Sequence, residues 1–490
     1  MKQRRRPRRR FDATGALALL ALALPTSTTA FTVVGSSRAG SRTTVLAQVT
    51  ETAAAATAAA RKRRTQELDP TKPIPKEQLV GMPFSRWRWE QAKRVPESEQ
   101  LDQLLGSLAE AIKAVAGFAR VSGVPDYRQE WDKQSVYEKS KCMGEGWRHN
   151  DMAKRLLEVA LCASGRLGVV AYPGKPPTVI DEVFGLFIAT VNPLVGAGGL
   201  DANVPTGTVI GLFEEPDDED CIVDYGIDDA SLQEEMCLLR TLQPGKNLIG
   251  AGYAIYSASC ELVLAVKGQG VHGFTLDAHV GEFILTKPYM RMPKRGSVYS
   301  VDESRRHSWT TALREHIDKL RSGEGESGKK FGYRFIGSAV ADVHRTLVQG
   351  GIWGRPDTDQ GGDQYGGDRT GGLTVLGESS PLAFIVEEAG GRAVDGHGKR
   401  VLDIYPETLR QKTGLFLGGQ DDILELERAL EAGSRAESEA RSQAVASAAA
   451  AADDDGGHEE AAAITVGDEE TEIVAEADAA GEDDATAAAA

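Results

Sequence analysis

The hydrophobic residues between Leu101 and Val115 recur at helical spacing, with polar residues at the positions between them. This pattern predicts a long amphipathic helix. A second helix is predicted from about Asn150, because a cluster of apolar residues at 156–160 follows it. From residue 183 onward, short apolar runs are separated by glycine, proline and aspartate, which predicts strands at 183–191, 208–213, 260–266, 271–276, 281–286 and 297–301.

The later part of the chain mixes both patterns. Helical stretches at 308–321, 338–348 and 380–389 alternate with apolar runs at 373–376 and 413–417. Helices first, strands second and a mixed region third predict two packed α/β or α+β units.

The amino terminus has the composition of targeting sequences. A basic block at 1–10, an apolar run at 15–25 and small residues up to Ala30 predict a signal peptide over residues 1–30. Residues 31–50 hold serine, threonine and two arginines but no acidic residue, as transit segments do, and a linker continues to residue 85. This order resembles the bipartite plastid presequence of algae with complex plastids. We therefore expect the plastid stroma as the location of residues 86 onward, with secretion as the alternative.

The carboxyl terminus is strongly acidic. Residues 442–490 hold 14 Asp or Glu and no Lys or Arg, and the whole chain has a net charge of −16. We expect residues 434–490 to form a disordered tail, because such a composition buries little apolar surface. The acidity of the chain therefore says little about its substrate. The basic block at 1–10 is expected to be cleaved, and the four-residue cluster at 61–64 has no aromatic partners, so we expect no nucleic-acid partner. No apolar run is long enough to span a membrane.

A glycine-rich stretch at 190–201 lies between two predicted strands. Such a turn presents backbone N–H groups at a sheet end, where phosphates are often bound. The alternative is a tight turn in which the glycines only permit positive φ. The five cysteines have neither zinc-site spacing nor the pattern of a secreted disulfide framework.

Several longer segments between about Leu101 and Leu430 follow one another in a distinctive order, and they are 252–257, 274–277, 281–285, 334–338, 341–347, 378–383 and 388–391. In these segments the chain resembles class I fructose-1,6-bisphosphatase. The resemblance implies an α/β fold, more narrowly the layered α+β sugar-phosphatase fold, with two subdomains of stacked helices and mixed sheets. We expect these subdomains at 86–290 and 291–433. It also implies hydrolysis of the 1-phosphate of fructose 1,6-bisphosphate in the Calvin cycle or gluconeogenesis, Mg²⁺ as the metal, and a homotetramer.

An acidic insertion at 214–242 resembles the regulatory loop of the plastid branch. The resemblance implies that Cys221 and Cys237 form a disulfide reduced by thioredoxin, although Leu242 stands at the third cysteine of that loop. The alternative is two solvent-facing thiols. A disulfide that closes a loop of roughly 15 residues constrains the chain by about 3 kcal/mol.

The family's Mg²⁺ ions are held by a Glu-Glu pair, an Asp-rich loop and a later Glu, since Mg²⁺ prefers carboxylate oxygens. Here the resemblance places Ser164 and Gly165 at the pair, and Asn192 and Val195 at two of the loop aspartates. The acidic remnants of the metal site are Glu378 and Asp201.

The substrate side also differs from the family pattern. Arg334 is kept at the position that reaches a phosphate from a neighbouring subunit. At other positions of the family's substrate site the family residue is replaced, and the residues found there are Asp302, Arg305, Phe335, Arg355, Gly372, Thr374 and Gly377. His344 is interpreted as a buried structural histidine rather than a catalytic base. The insertion at 357–371 is interpreted as a flexible loop, with a cation site as the alternative.

Two hypotheses follow from these residues. The first is a plastid sugar-bisphosphate phosphatase regulated through Cys221 and Cys237. The second is a catalytically impaired or inactive relative with a regulatory or sugar-phosphate-binding role, because most metal ligands are replaced.

Overall fold

A computed structural model describes residues 74–94, 99–122, 145–173, 175, 177–180, 185–215, 238–356 and 372–454. The predicted signal peptide, the transit segment, Cys221, Cys237 and the insertion at 357–371 lie outside the described residues. No helix in the described parts of the chain combines the length and the apolar content needed to cross a bilayer.

The larger sheet has eight strands in the order β2-β1-β3-β4-β5-β6-β7-β8. Its strands are β1 Leu167–Ala171, β2 Thr178–Val179, β3 Phe187–Val195, β4 Thr206–Glu214, β5 Leu248–Tyr256, β6 Cys260–Val266, β7 Gly270–Asp277 and β8 Glu282–Met290. β1 and β3 pair in parallel, and the other pairings in this sheet are antiparallel. The central strands are apolar on both faces because both faces are covered.

Four helices cover one face of this sheet: α1 Lys76–Leu79, α2 Phe84–Ala92, α3 Glu99–Val121 and α4 Glu145–Cys162. The helix predicted at 101–115 is confirmed as part of α3, and its apolar stripe packs into a core with β3, β5 and β6. Leu104, Ile112 and Leu157 are among the fully buried side chains of this layer.

The other face contacts α6 (Ala339–Gln349) and α7 (Ser380–Glu388). Beyond them lies a five-stranded sheet in the order β10-β9-β11-β15-β13. Its strands are β9 Val298–Val301, β10 Gly332–Tyr333, β11 Ile352–Arg355, β13 Arg392–Val394 and β15 Leu415–Gly418, and a separate pair joins β12 Leu373–Thr374 to β14 Lys412–Thr413.

A third core covers the outer face of the second sheet. α5 (Thr311–Ser322) and the first part of α8 (Gln420–Asp454) contribute Ile317, Ile423 and Leu426 to it. The described chain therefore alternates helices and sheets in layers, which confirms the predicted α/β fold class. The described residues up to Ser434 belong to one compact unit, and those from Arg435 belong to a second. The predicted division at residue 290 stays a prediction.

The apolar run at 373–376 is divided between two elements. Of the run at 373–376, only Leu373 and Thr374 are strand, and Val375–Ser379 forms a π-helix that leads into α7. A π-helix is not signalled by periodicity, and such turns occur frequently at functional sites.

Candidate functional site

The glycine-rich stretch follows β3 and turns back into β4. The pairing of β3 with β4 is irregular between Asn192 and Val195, and Gly196 then adopts a φ of 78° before a 3₁₀ turn at Ala197–Gly199. Asn192 is half-buried, whereas Val195 is 8% exposed and belongs to the core beneath α6 and α7. One of the two aspartate positions thus carries an apolar side chain that is packed in an apolar core.

The turn at Gly196 lies against the start of α6. A Cβ atom built on Gly196 would be 3.5 Å from Oγ of Ser338, which directly precedes α6. The buried carboxylate of Asp342 fixes this approach, since it accepts hydrogen bonds from the backbone N–H groups of Ile336 (3.1 Å) and Gly337 (3.2 Å). Burial raises the pKa of Asp342, and these hydrogen bonds oppose that rise.

The carboxyl end of β1 lies beside β3 near Asn192. Because β1 and β3 are parallel and Ala171 pairs with Thr190, the residues after β1 lie beside the end of β3. These residues are Tyr172, which is buried beneath the ammonium group of Lys154, and Pro173, which is half-buried. Burial raises the pKa of Tyr172, so its hydroxyl stays neutral.

Ser164 and Gly165 lie at the opposite end of β1. They occupy the turn that precedes the strand, near Phe187, and five residues of β3 separate this point from Asn192, roughly 16 Å. The structure therefore does not bring Ser164 and Gly165 to the turn at Gly196. The residues that occupy the corresponding edge are Tyr172 and Pro173, which sequence reasoning missed. The signal that points to them is the end of the apolar run 167–171.

Glu378 lies in the π-helix and faces β12. Its Oε2 accepts hydrogen bonds from the backbone N–H (3.1 Å) and the hydroxyl (3.0 Å) of Thr374. The adjacent Gly377 is buried, and a Cβ atom built on it would lie 2.6 Å from Cγ of Pro173 and 3.0 Å from Oγ1 of Thr374. Pro173, Thr374, Gly377 and Glu378 thus pack together at the site.

Asp201 points toward α4. Its Oδ1 lies 4.0 Å from Nε2 of the buried His149, whose ring lies 5.8 Å from that of Phe118. Within the described residues, no group of three or more His, Cys, Asp or Glu side chains is placed to hold a metal ion. The side chains around Gly196 therefore do not fit the Mg²⁺ cluster that the family resemblance implies, because too few carboxylates converge there.

Three arginines follow the parallel strands β9, β10 and β11. Arg355 ends β11 and lies beside Asp302, since Gly354 pairs with Val301. Arg305 follows β9, with its Nε 3.7 Å from Oδ2 of Asp302. Arg334 follows β10, is exposed, and has its backbone carbonyl bound by the hydroxyl of Ser300. This edge is therefore basic, and ligands commonly bind at the carboxyl ends of parallel strands.

His344 lies on α6, apart from this edge, and its side chain contacts strands of the larger sheet. Its Nδ1 and the hydroxyl of Tyr253 form a hydrogen bond of 2.9 Å, and its Nε2 lies 3.5 Å from Glu261, which also contacts Lys287. Burial lowers the pKa of His344. These contacts support the interpretation of His344 as a buried structural histidine, because both ring nitrogens have partners.

Comparison with known proteins identifies the family. Residues 83–288 match the model of the N-terminal domain of fructose-1-6-bisphosphatase, and residues 292–431 match that of its C-terminal domain. The chain belongs to the fructose-1,6-bisphosphatase family. This confirms the predicted family, whose members depend on metal ions and act on a sugar bisphosphate.

Similar sequences include plant enzymes named as chloroplastic. The chain is 36% identical over 337 residues to chloroplastic fructose-1,6-bisphosphatase of Spinacia oleracea, covering 68% of this chain and 77% of that protein. It is 35% identical over 349 residues to chloroplastic fructose-1,6-bisphosphatase 1 of Arabidopsis thaliana, covering 70% and 79%.

A solved structure also resembles this chain. The holo form of Leishmania major fructose-1,6-bisphosphatase superposes with a TM-score of 0.59 at 27% identity, covering 72% of this chain and all of that one. The layered scaffold of the fructose-1,6-bisphosphatase family is therefore present, whereas the acidic side chains that the resemblance implies at the turn are largely replaced.

Proposed function

We propose that this member of the fructose-1,6-bisphosphatase family binds a sugar phosphate but does not hydrolyse it by the metal-dependent route of its family. The observation that carries the proposal is the edge formed by β1, β3 and the π-helix. There Val195 is packed in an apolar core, Glu378 accepts two hydrogen bonds from Thr374, and Asp201 points away toward His149 on α4.

The loss of these carboxylates should remove most of the affinity for metal ions. A cluster of Mg²⁺ ions needs several carboxylates to offset the cost of dehydrating each ion. Asn192 offers a neutral carbonyl oxygen, and Tyr172, Pro173 and Val195 offer no carboxylate. Without the metal, neither charge neutralisation at the phosphate nor activation of a water molecule is supplied.

The binding role is supported by the basic edge of the second sheet. Arg305 and Arg355 stand where the family resemblance places tyrosines, and Arg334 is kept. Guanidinium groups bind phosphate in bidentate geometry, so arginine at these positions favours a phosphate more strongly than tyrosine does. An exchange that had merely abolished the site would not be expected to add cationic side chains.

A plastid location is part of the proposal. It is supported by the targeting composition of residues 1–50 and by the names of the chloroplastic relatives. Assembly into a homotetramer is a further part, which rests on the family alone. Thioredoxin control through Cys221 and Cys237 stays a prediction from sequence.

The direct test is an assay of phosphate release from fructose 1,6-bisphosphate with excess Mg²⁺ or Mn²⁺. We expect turnover far below 1 s⁻¹, whereas about 10 s⁻¹ is ordinary for an enzyme. Turnover of about 1 s⁻¹ or more overturns the proposal and favours the first hypothesis, an active phosphatase.

Binding is tested separately by ligand-induced thermal stabilisation. Fructose 1,6-bisphosphate without metal should raise the unfolding midpoint of the parent chain, because a ligand that binds only the folded state stabilises it. The double variant Arg305→Tyr/Arg355→Tyr should lose most of this rise, and Arg314→Gln on α5 is the matched control. If the double variant and the control respond equally, the basic edge is not the binding site.

A further inference from the structure

Residues at and beside the place of the implied metal site form direct contacts with one another. Pro173 lies over Gly377, and Glu378 accepts both the N–H and the hydroxyl of Thr374. We refer to Pro173, Thr374, Gly377 and Glu378 as the latch. It joins the carboxyl end of β1 to the π-helix that begins α7.

The latch connects elements that a shared metal ion would otherwise cross-link. The carboxylates implied by the family resemblance come from separate segments of the chain, and an ion bound by them would tie these segments together. Here Tyr172 and Pro173 stand at the end of β1, where no carboxylate remains. Thr374 donates two hydrogen bonds to Oε2 of Glu378, so donors within the protein stabilise this carboxylate without a cation.

Steric fit makes the latch specific. A Cβ on Gly377 would come within 2.6 Å of the Pro173 ring, which real Cβ atoms essentially never do, and within 3.0 Å of Oγ1 of Thr374. Any side chain at residue 377 therefore requires movement of Pro173 or Thr374. The observed position of the Pro173 ring therefore requires glycine at residue 377.

We propose that the latch is a structural substitute for the metal cross-link, and that Glu378 acts in it as a hydrogen-bond acceptor instead of a metal ligand. The inference rests on the proposed function only in assuming that no metal cluster is bound at this edge. It makes predictions about stability that do not depend on turnover.

The steric part is tested by a double-mutant cycle in the full chain, with thermal unfolding as the readout. Gly377→Ala should lower the midpoint by at least about 3 °C, the shift that a large chain shows for a loss of one to a few kcal/mol. Pro173→Ala in the same chain should restore at least half of that loss, because it removes the clashing ring. Gly198→Ala, where a Cβ meets no atom within 4 Å, is the matched control and should leave the midpoint unchanged. Additive effects of the two substitutions would overturn the steric part.

The hydrogen-bonding part is tested at Glu378. Glu378→Gln keeps an oxygen that accepts from Thr374, so its midpoint should stay near that of the parent, whereas Glu378→Ala should unfold at a lower temperature. Mn²⁺ alone should shift the midpoint of the parent and of Glu378→Gln equally. A Mn²⁺-dependent rise in the unfolding midpoint that is lost in Glu378→Gln overturns the inference. Equal unfolding midpoints for Glu378→Gln and Glu378→Ala overturn it as well. If the chain hydrolyses fructose 1,6-bisphosphate while the latch variants unfold as stated, the proposed function is wrong but the structural role of the latch is supported.

Discussion

At the scale of single residues, some side chains that carry the family resemblance have structural roles in this chain. Asp342 and His344 lie in a segment that carries the family resemblance, yet Asp342 holds the backbone of Ile336 and Gly337, and His344 bridges Tyr253 and Glu261. Their roles are those of buried groups that must be hydrogen-bonded. Sequence could identify both residues, and the partners of Asp342 are close to it in the chain, whereas the partners of His344 come from the distant strands β5 and β6.

Asp422 allows a pH-dependent prediction. It is 1% exposed in the first turn of α8, accepts from the N–H of Gly296 at 2.7 Å, and lies 3.4 Å from Arg295. Burial nevertheless raises its pKa to about 6. Since the folded-state pKa exceeds the ordinary value of 3.8, this group's contribution to stability is fully present below about pH 3.8. It is lost as the pH rises through 6.

Asp422→Asn removes this titration while keeping an oxygen for Gly296. The stability of the variant relative to the parent should therefore increase between pH 4 and pH 7, by on the order of 2–3 kcal/mol at most. Unfolding midpoints measured in steps across this range check the slope. A difference between variant and parent that stays flat with pH would contradict the raised pKa.

At the scale of elements, α2 packs on the larger sheet through two buried aromatic side chains, Phe84 and Trp87. Trp87 is 1% exposed, and its ring centroid lies 5.1 Å from that of Phe274 and 5.2 Å from that of His272. Trp87→Ala should reduce the free energy of unfolding by about 3–5 kcal/mol, because it leaves a cavity in a packed core. Urea unfolding followed by circular dichroism measures this.

Trp89, on the same helix, provides the control. It is 53% exposed, with the ammonium group of Lys93 over its ring, so Trp89→Ala should cost at most about 1 kcal/mol. Equal losses for Trp87→Ala and Trp89→Ala would show that α2 contributes through its helical backbone and not through the buried aromatic contact.

Much of the element order could be predicted, but the edge that forms the site could not be predicted in full. Long amphipathic patterns such as that of α3 are local, and residue spacing is sufficient to recognise them. The residues that face Asn192 depend on the register of β1 against β3, and register is set by tertiary pairing. This is why Ser164 and Gly165 were assigned to a site at which Tyr172 and Pro173 stand.

At the scale of the whole molecule, the acidic end of the chain is separable from the core. α8 extends to Asp454, but Leu430 is its last buried side chain among those described. A chain ending after Ser434 should therefore unfold within about 1–2 °C of the full chain, as expected when no buried contact is lost. A chain ending after Gly419 lacks Ile423 and Leu426, which fill the third core, and should fail to fold. Loss of folding in the longer truncation would contradict the boundary.

Restoring the metal site tests the fold and the site together. Asn192→Asp, Val195→Asp, Tyr172→Glu and Pro173→Glu place four carboxylates at one edge, where their mutual repulsion should lower the unfolding midpoint without metal. Added Mn²⁺ should then raise the midpoint with concentration, because a ligand of the folded state stabilises it by mass action. The matched variant carries the same loop aspartates but has Ser164→Glu and Gly165→Glu at the other end of β1, roughly 16 Å away by strand count. It should show little response, since carboxylates so far apart cannot share an ion. Equal responses to Mn²⁺ in both variants would mean that the parallel pairing of β1 with β3 does not set the geometry of this site.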